Sequence, residues 1–272
     1  MLKQLSTMDR VREHLEEAHE HFYGNYIVGV FLQGSQNYEL DIEGSDVDTK
    51  LIVCPTFKNI AMNEKPVSTT HIRANEEHID FKDIRLYIET FRKQNLNFLE
   101  ILFTDFKIVN PLYAAEWQKL VDAREKIARM NPYRAVKSMK GIAMEKYHAM
   151  KHPYPSKLDI LAKHGYDPKQ LHHLLRVEDY LERYIGGDSY ESCLKPNPEM
   201  KQMLIDVKRG YFNLDYAEQV AEQSIKHVEE MEKEFSETHK DEEDKEALAI
   251  LHEAQLNIMR LAMYQEFMPV GG

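Results

Sequence analysis

Residues 30–53, VFLQGSQNYELDIEGSDVDTKLIV, hold two runs of strand-forming residues joined by a polar connection. Two acidic residues, Asp46 and Asp48, stand one position apart at the start of the second run. Side chains two apart on a strand project to the same face, so this spacing brings both carboxylates to one place. A carboxylate is costly to remove from water unless it is paired or bound to a cation. The pair therefore predicts a positively charged partner.

The residues on either side of this stretch mix helix and strand patterns up to about residue 108. Strands are predicted at YIVGVFLQG, ended by glycine, at DTKLIVCP, ended by proline, and at HIDFK, which alternates around Asp80. The segment DIRLYIETFRK has apolar residues at helical spacing behind a capping Asp83. Ser6 or Thr7 is expected to cap a first helix that runs to about His21.

Beyond Asn110-Pro111 the pattern is helical nearly throughout. Helices are predicted at roughly 112–130, 132–150, 156–163, 168–185, 198–209, 214–236 and 243–266, between breaks rich in proline, glycine and asparagine. The shift in pattern predicts an α+β protein of two domains. Residues 1–108 would form an N-terminal α/β module with a small mixed sheet, and residues 109–272 an all-helical C-terminal domain.

Charge is unevenly distributed along the chain. The net charge of −11 argues against a broad nucleic-acid-binding surface, which would need an excess of Lys and Arg. Residues 131–176, however, carry nine Lys or Arg against three acids, together with five of the thirteen histidines. This basic segment is interpreted either as a floor for a few phosphates or as a solvated basic face. The acidic stretch around 237–244 is interpreted as a solvated turn between two long helices.

Other features of the composition indicate the compartment. The N-terminus has no hydrophobic signal core, and no apolar stretch is long enough to span a bilayer. Cys54 and Cys193 match neither a disulfide framework nor a zinc spacing. We therefore expect a cytoplasmic protein with reduced thiols and no membrane partner.

A third acid, Asp80 on a neighbouring strand, would join Asp46 and Asp48 to form a carboxylate triad. Glu77 and Asp83 are alternatives for that third position. Three converging carboxylates suit Mg²⁺ or Mn²⁺, and a pair of such ions can clamp the attacking and leaving oxygens of a phosphoryl transfer. Gly34-Ser35, at the end of the preceding strand, would offer backbone N–H groups and a hydroxyl to a triphosphate.

The order strand, Gly-Ser, Asp-Val-Asp, strand resembles the signature of the DNA polymerase beta nucleotidyltransferase superfamily. GSQNYELDIEGSDVD is similar to the G-S-x-x-Y-G-x…S-D-x-D pattern of predicted nucleotidyltransferases from bacteria and phages. NLNFLEILF (95–103) resembles the N-P-x-x-L-E-L-L-F segment of that branch, and HGYDPKQLHHLLR (164–176) its G-Y-D-x-K-x-x-x-H-x-x-R helix.

The resemblance implies a site made of several groups. Asp46, Asp48 and Asp80 would hold two Mg²⁺ ions, with Mn²⁺ as an alternative metal. The nucleotide would be bound by residues of the phosphate loop and of a distal helix, namely Gly34, Ser35, Gln36, Tyr38, Lys169, His173 and Arg176. Lys169, His173 and Arg176 lie on one helical face at i, i+4 and i+7. An alternative is that Arg176 pairs with Glu178 or Asp179 instead.

The chain departs from that branch at two positions. Glu39 stands where the branch has a glycine after the tyrosine, and Leu96 stands where it has a proline. The first change falls in the loop expected to hold the nucleotide or the acceptor.

The expected activity is transfer of a nucleoside monophosphate from an NTP to an unidentified acceptor, with release of pyrophosphate. ATP is the favoured nucleotide. Asp80 is the candidate general base, and the site is expected between the two modules. The acidic net charge favours a small-molecule or protein acceptor over RNA. The alternative is a non-catalytic protein that retains the fold as a nucleotide sensor or as a partner in a toxin–antitoxin pair.

Overall fold

The computed structural model describes residues 6–22 and 24–268 and confirms an α+β protein with a five-stranded sheet. The strands are β1 Ile27–Gln33, β2 Asp48–Val53, β3 Ser68–Ile72, β4 His78–Asp83 and β5 Lys107–Val109. The helices are α1 Thr7–Ala18, α2 Phe57–Ala61, α3 Ile84–Arg92, α4 Leu96–Leu99, α5 Ala114–Asp122, α6 Arg124–Ala128, α7 Pro132–Ala149, α8 Leu158–His164, α9 Pro168–Ile185, α10 Tyr190–Leu194, α11 Pro198–Lys208, α12 Leu214–Thr238 and α13 Lys245–Phe267.

Contacts divide the chain into two compact units. The sheet unit contains the residues up to Asn37, Glu43–Met130 and the residues from Glu243 onward. The helical unit contains Tyr38–Ile42 and Asn131–Glu242. Residues 109–130 and α13 therefore belong with the sheet, whereas the sequence placed them in the helical domain.

The sheet of the sheet unit is mixed, as predicted. Its strand order is β3-β4-β2-β1-β5, with β2 and β4 parallel and the other neighbours antiparallel. In the β1–β2 pair, Gln33 lies opposite Asp48. In the β2–β4 pair, Lys50 lies opposite Asp80. These two registers decide which side chains meet at the candidate site.

One face of the sheet packs against α1. Its apolar residues form a single buried cluster with the apolar stripe of the helix: Val11, Ala18, Ile27, Val30, Leu32, Val47, Leu51, Val53, Ile79 and Phe81. Ser6 caps α1 in a capping box with Asp9, which fixes the start of the helix where the sequence predicted it. The helix ends at Ala18, a few residues before the predicted end.

The opposite face carries larger and more polar side chains. Phe31 of β1 packs on Trp117 of α5, with ring centroids 4.4 Å apart. In turn α5 packs against α13, where the Asn257 amide donates to Glu116 at 3.1 Å. This contact shows why the last helix belongs to the sheet unit.

In the helical unit, α9 packs against α7, α10, α11 and α12. Its buried stripe includes Leu171, Leu174, Leu175 and Tyr180. Asp167 caps it through the backbone N–H of Lys169, and Pro168 occupies the first turn, where a missing N–H costs nothing. The same Asn-Pro or Asp-Pro arrangement starts α7 and α11, as the sequence breaks predicted.

Some elements differ from the expectation. The predicted helix 112–130 is broken into α5 and α6, and β3, β5 and α10 were not predicted. Leu96 occupies the first position of α4 behind the N-cap Asn95, a position that proline fits well, and its side chain is fully buried. Among the described residues, no helix is long and apolar enough to cross a membrane.

Candidate functional site

The turn that follows β1 begins at Gly34. Gly34 has φ +102°, a conformation that residues with a Cβ rarely adopt, and its carbonyl accepts a hydrogen bond from Asn37 N at 3.0 Å. Ser35 and Gln36 follow in a short 3₁₀ turn, and both are partly exposed. The Gln36 amide donates to the backbone oxygen of Asp46 at 2.8 Å. This bond ties the Gly-Ser turn to the Asp-Val-Asp segment.

The Asp-Val-Asp segment enters β2. Val47 is buried in the core on the α1 side, so its neighbours Asp46 and Asp48 both point away from that core. Asp48 is the first residue of β2, whereas Asp46 precedes the strand and is exposed. One Asp48 carboxylate oxygen accepts a hydrogen bond from His78 N at 2.9 Å. This bond fixes Asp48 against the start of β4.

Asp80 lies on the same face of the sheet as Asp48. Its paired residue is Lys50, which is two positions after Asp48 in β2 and therefore shares its face. One Asp80 oxygen accepts from the Thr70 hydroxyl at 2.5 Å, and the other lies 3.5 Å from Lys50 Nζ. Both carboxylates keep some exposure, 26% for the side chain of Asp48 and 31% for that of Asp80.

Lys50 is a site residue that the sequence analysis missed. Its side chain is 4% exposed, and its ammonium lies over the ring of Phe98, 4.2 Å from the centroid. Burial lowers the pKa of Lys50 to about 8, against the opposite pull of Asp80. A lysine within an otherwise apolar strand indicates a buried cation. The sequence does not indicate which acid pairs with it, because that depends on the register between β2 and β4.

The two alternatives for the third acid have other roles. Asp83 caps α3 through Arg85 N at 2.9 Å and forms an ion pair with the Arg85 guanidinium at 2.6 Å. Asp83 is also three residues beyond Asp80, which places it on the opposite face of β4. Asp80, in contrast, lies on the same sheet face as Asp48.

Glu77 is fully buried at the centre of a charged cluster behind the site. Its carboxylate accepts from Val47 N at 3.1 Å, from His14 Nε2 at 3.0 Å and from Arg73 Nη1 at 2.8 Å, and it also pairs with Arg10. The first of these bonds holds the residue between Asp46 and Asp48.

His14 is fixed in one tautomer by this cluster. Burial lowers the pKa of His14 to about 4, and the nearby Arg73 adds to the shift, so the ring is neutral near pH 7. Because a carboxylate can only accept, Nε2 donates to Glu77, and Nδ1 accepts from the Thr49 hydroxyl at 2.8 Å. Thr49 belongs to β2, so the cluster braces the strand that carries Asp48.

The chemistry of Asp48 and Asp80 fits a magnesium ion that arrives with a nucleotide. Mg²⁺ is commonly held by one or two carboxylates, with waters and substrate phosphates completing its shell. Asp48 and Asp80 are two partly exposed carboxylates on one sheet face, and they match the number of protein carboxylates that Mg²⁺ commonly uses. Within residues 6–22 and 24–268, no group of three or more His, Cys, Asp or Glu side chains is arranged to hold a metal ion, so the predicted triad of Asp46, Asp48 and Asp80 is not among the groups found.

The remaining predicted residues lie in the helical unit. Arg176 is buried, with its guanidinium carbon 3.9 Å from the ring centroid of Tyr38, which is itself buried. Lys169 is exposed in the first turn of α9, and His173 is partly exposed one turn later. The alternative partners of Arg176 have other bonds: Asp179 pairs with Arg183 and Glu178 with His227.

The neighbourhood of His173 in the helical unit is positively charged. Although part of the His173 side chain is exposed, the surrounding protein withdraws its ring from water and lowers its pKa well below the usual value; His172, Arg176, Lys146 and Lys169 lower this pKa further. Lys146 comes from α7, so cations from two helices gather here. The sequence had placed all of them in the basic segment 131–176 without indicating which would meet.

The backbone of Glu39 adopts a conformation that is typical of glycine. It has φ +59°, the left-handed conformation that glycine adopts most readily. Its carboxylate is held by Lys195 at 2.7 Å and Lys201 at 2.9 Å, which lowers the pKa of Glu39 to about 2. The backbone of the next residue, Leu40, accepts from Lys208 at 2.9 Å. Segment 38–42 is therefore held by lysines of the helical unit.

Replacement of Gly34 by alanine tests the conformation of the turn. A Cβ at Gly34 would contact nothing within 4 Å, so only the positive φ opposes it. We expect Gly34→Ala to lower the free energy of unfolding by about 1–3 kcal/mol, measured by urea denaturation. Gly141→Ala is the matched control, because Gly141 lies in α7 with equally open space. It should gain about 0.5–1 kcal/mol, and the same sign for both variants would contradict the prediction.

Comparison with known proteins adds little to this geometry. No protein-family model and no curated protein sequence matches the chain. A solved structure of a nucleotidyltransferase-like protein from Exiguobacterium sibiricum is 11% identical, and the match covers 85% of this chain and 76% of that one with a TM-score of 0.32. A TM-score at this level does not establish a shared fold.

Proposed function

We propose that the chain is a metal-dependent nucleotidyltransferase. It would transfer a nucleoside monophosphate from an NTP, with ATP favoured, to a small-molecule or protein acceptor. In this reaction an acceptor oxygen forms a bond to the α-phosphorus, and the bond from that phosphorus to the bridging oxygen breaks to release pyrophosphate. The acceptor proton passes to a base of the protein or to solvent.

The observation that carries this proposal is the arrangement of the sheet unit around the start of β2. Gly34 follows the residue paired with Asp48, the Gln36 side chain binds the Asp46 carbonyl, and Asp80 shares the sheet face of Asp48. The turn proposed to bind phosphate and the two carboxylates therefore lie around the start of one strand.

Four residues of the sheet unit would each have a defined role in this reaction. The backbone turn at Gly34 and the hydroxyl of Ser35 would bind phosphate oxygens. Asp80 would accept the proton of the acceptor, since its carboxylate is oriented by Thr70 and Lys50. Lys50 would also balance the negative charge that builds up when Asp48, Asp80 and a triphosphate come together.

Asp48 and Asp80 would hold Mg²⁺ together with water and the phosphate oxygens of the nucleotide. When bound, the metal would polarise the phosphoryl group and neutralise the charge of the leaving pyrophosphate. In the helical unit, Lys169, His173 and Arg176 are proposed as phosphate-binding residues because cations gather around His173. Tyr38 would act there by holding Arg176 in place.

The direct test measures nucleotide binding and turnover in separate experiments. Isothermal titration with each NTP should give saturable binding that requires Mg²⁺. Pyrophosphate release should then appear when a mixture of candidate acceptors is added. Binding without pyrophosphate release, for any acceptor in a cell lysate supplied with α-labelled NTPs, would favour the nucleotide sensor. Absence of Mg²⁺-dependent binding would reject the nucleotide site altogether.

A further inference from the structure

A cavity lies in the sheet unit, at the end of β2 opposite Asp48. Its volume is about 430 Å³, which is within the size range of small-molecule sites. Cys54, Pro55 and Asp83 border it directly after the carboxyl ends of β2 and β4. These two strands are parallel, and ligands of α/β proteins often bind beyond the carboxyl ends of parallel strands. The six steps from Asp48 to Cys54 separate the two sites by roughly 20 Å, at about 3.3 Å per residue.

The floor of this cavity is apolar and partly aromatic. It is formed by Phe22, Tyr26, Cys54, Pro55 and Val67. Cys54 and Pro55 are buried, and burial raises the pKa of the Cys54 thiol to about 12, so the thiol is neutral and behaves as an apolar group. This floor suits the side chain of a ligand, either a ring or a branched alkyl group.

The rim carries two charges of opposite sign that do not pair with each other. Lys65 and Glu20 both line the cavity and are exposed, and neither forms an ion pair or side-chain hydrogen bond with any described residue. The other pair of charges at the cavity, Asp83 and Arg85, neutralise each other at 2.6 Å. The rim therefore offers a ligand one available ammonium group and one available carboxylate.

We propose that this cavity binds a zwitterionic small molecule with an apolar side chain, of the α-amino acid class. The ligand carboxylate binds the Lys65 ammonium, and the ligand ammonium binds the Glu20 carboxylate. Its side chain packs on Phe22, Tyr26 and Val67. The proposal is independent of nucleotidyl transfer, because no residue of the cavity belongs to the Asp48 site.

Titrations with three related probes test the requirement for both charges. Ligand-observed NMR of the full chain should show saturable binding of L-phenylalanine with a dissociation constant of about 1 mM. Phenethylamine lacks the carboxylate and 3-phenylpropionate lacks the ammonium group, so each should bind at least about ten-fold more weakly. L-Leucine and L-methionine extend the panel to aliphatic side chains.

Two variants then assign each charge. Lys65→Gln should weaken L-phenylalanine about ten-fold and 3-phenylpropionate similarly, but leave phenethylamine unchanged. Glu20→Gln should show the reverse preference. Lys58→Gln and Glu16→Gln are the matched controls, because both residues are exposed on neighbouring helices and do not line the cavity. All four variants should unfold at the wild-type urea concentration, since the replaced side chains are exposed.

Three results would overturn the proposal. One is the lack of saturable binding for all three amino acids. Another is binding of 3-phenylpropionate or phenethylamine as tightly as L-phenylalanine, which would point to a singly charged ligand. The third is an equal response of all three phenyl probes to Lys65→Gln and Glu20→Gln.

Discussion

Asp48→Asn should weaken Mg²⁺-dependent NTP binding about a hundred-fold while leaving stability unchanged. The asparagine amide oxygen can still accept the hydrogen bond that Asp48 receives from His78 N, so the strand register is kept. The lost negative charge, however, weakens the attraction of the site for a divalent cation. Isothermal titration with ATP and MgCl₂ measures the affinity, and urea denaturation measures the free energy of unfolding, which should change by less than about 0.5 kcal/mol.

Glu43→Gln is the matched control for this variant. Glu43 is an exposed acid in the same connection between β1 and β2, and its loss removes the same charge. Its ATP affinity should equal that of the wild type. If Asp48→Asn unfolds more easily and binds ATP normally, Asp48 has a structural role and the proposed metal site is wrong.

Glu77→Gln should lower the free energy of unfolding by about 3–5 kcal/mol. The glutamine keeps the shape of the side chain but removes the charge that compensates Arg10 and Arg73. It also brings N–H donors into a cluster in which Val47 N, His14 and both arginines already donate. Unsatisfied donors and unpaired charges are costly at a fully buried position. Urea denaturation monitored by Trp117 fluorescence measures the loss.

Glu76→Gln controls for the local change in charge. Glu76 is the preceding residue and is exposed, so its replacement should cost no more than about 0.5 kcal/mol. A Glu77→Gln protein as stable as the Glu76→Gln protein would show that the cluster contributes little to folding. The brace behind Asp46 and Asp48 would then have to be attributed to the strand pairing alone.

Local signals predicted most of the elements. Helices α7, α9 and α11 begin where an Asn-Pro or Asp-Pro pair provides a cap and a proline in the first turn. Strand β3 was missed because it is an edge strand whose side chains are mostly exposed, so it lacks an apolar alternation. Strand β5 has only three residues. Local patterns also do not state the partner of a helix, which is why α13 was assigned to the helical domain.

Some features of the candidate site could be predicted from local sequence patterns, and others depend on residues far apart in the sequence. The shared face of Asp48 and Asp80 follows from the two-residue period of strands once β2 and β4 are neighbours. The roles of Lys50 and Glu77 depend on register and burial that are set by residues far away in sequence. Lys50 faces Asp80 across thirty positions, and Glu77 meets His14 across sixty-three. A pattern read within a short window of sequence cannot pair residues that are so far apart along the chain.

The membership of α13 in the sheet unit has a consequence for synthesis of the protein on the ribosome. Residues 131–242 form one uninterrupted stretch that has emerged before α13, whereas the sheet unit must wait for residues 245–267. At about 5–20 residues per second, this delay is on the order of seconds. Until then the apolar side chains that later meet Leu251 and Ile258 stay uncovered. We therefore expect the part of the sheet unit that is translated first to complete its packing only after α13 has been synthesised.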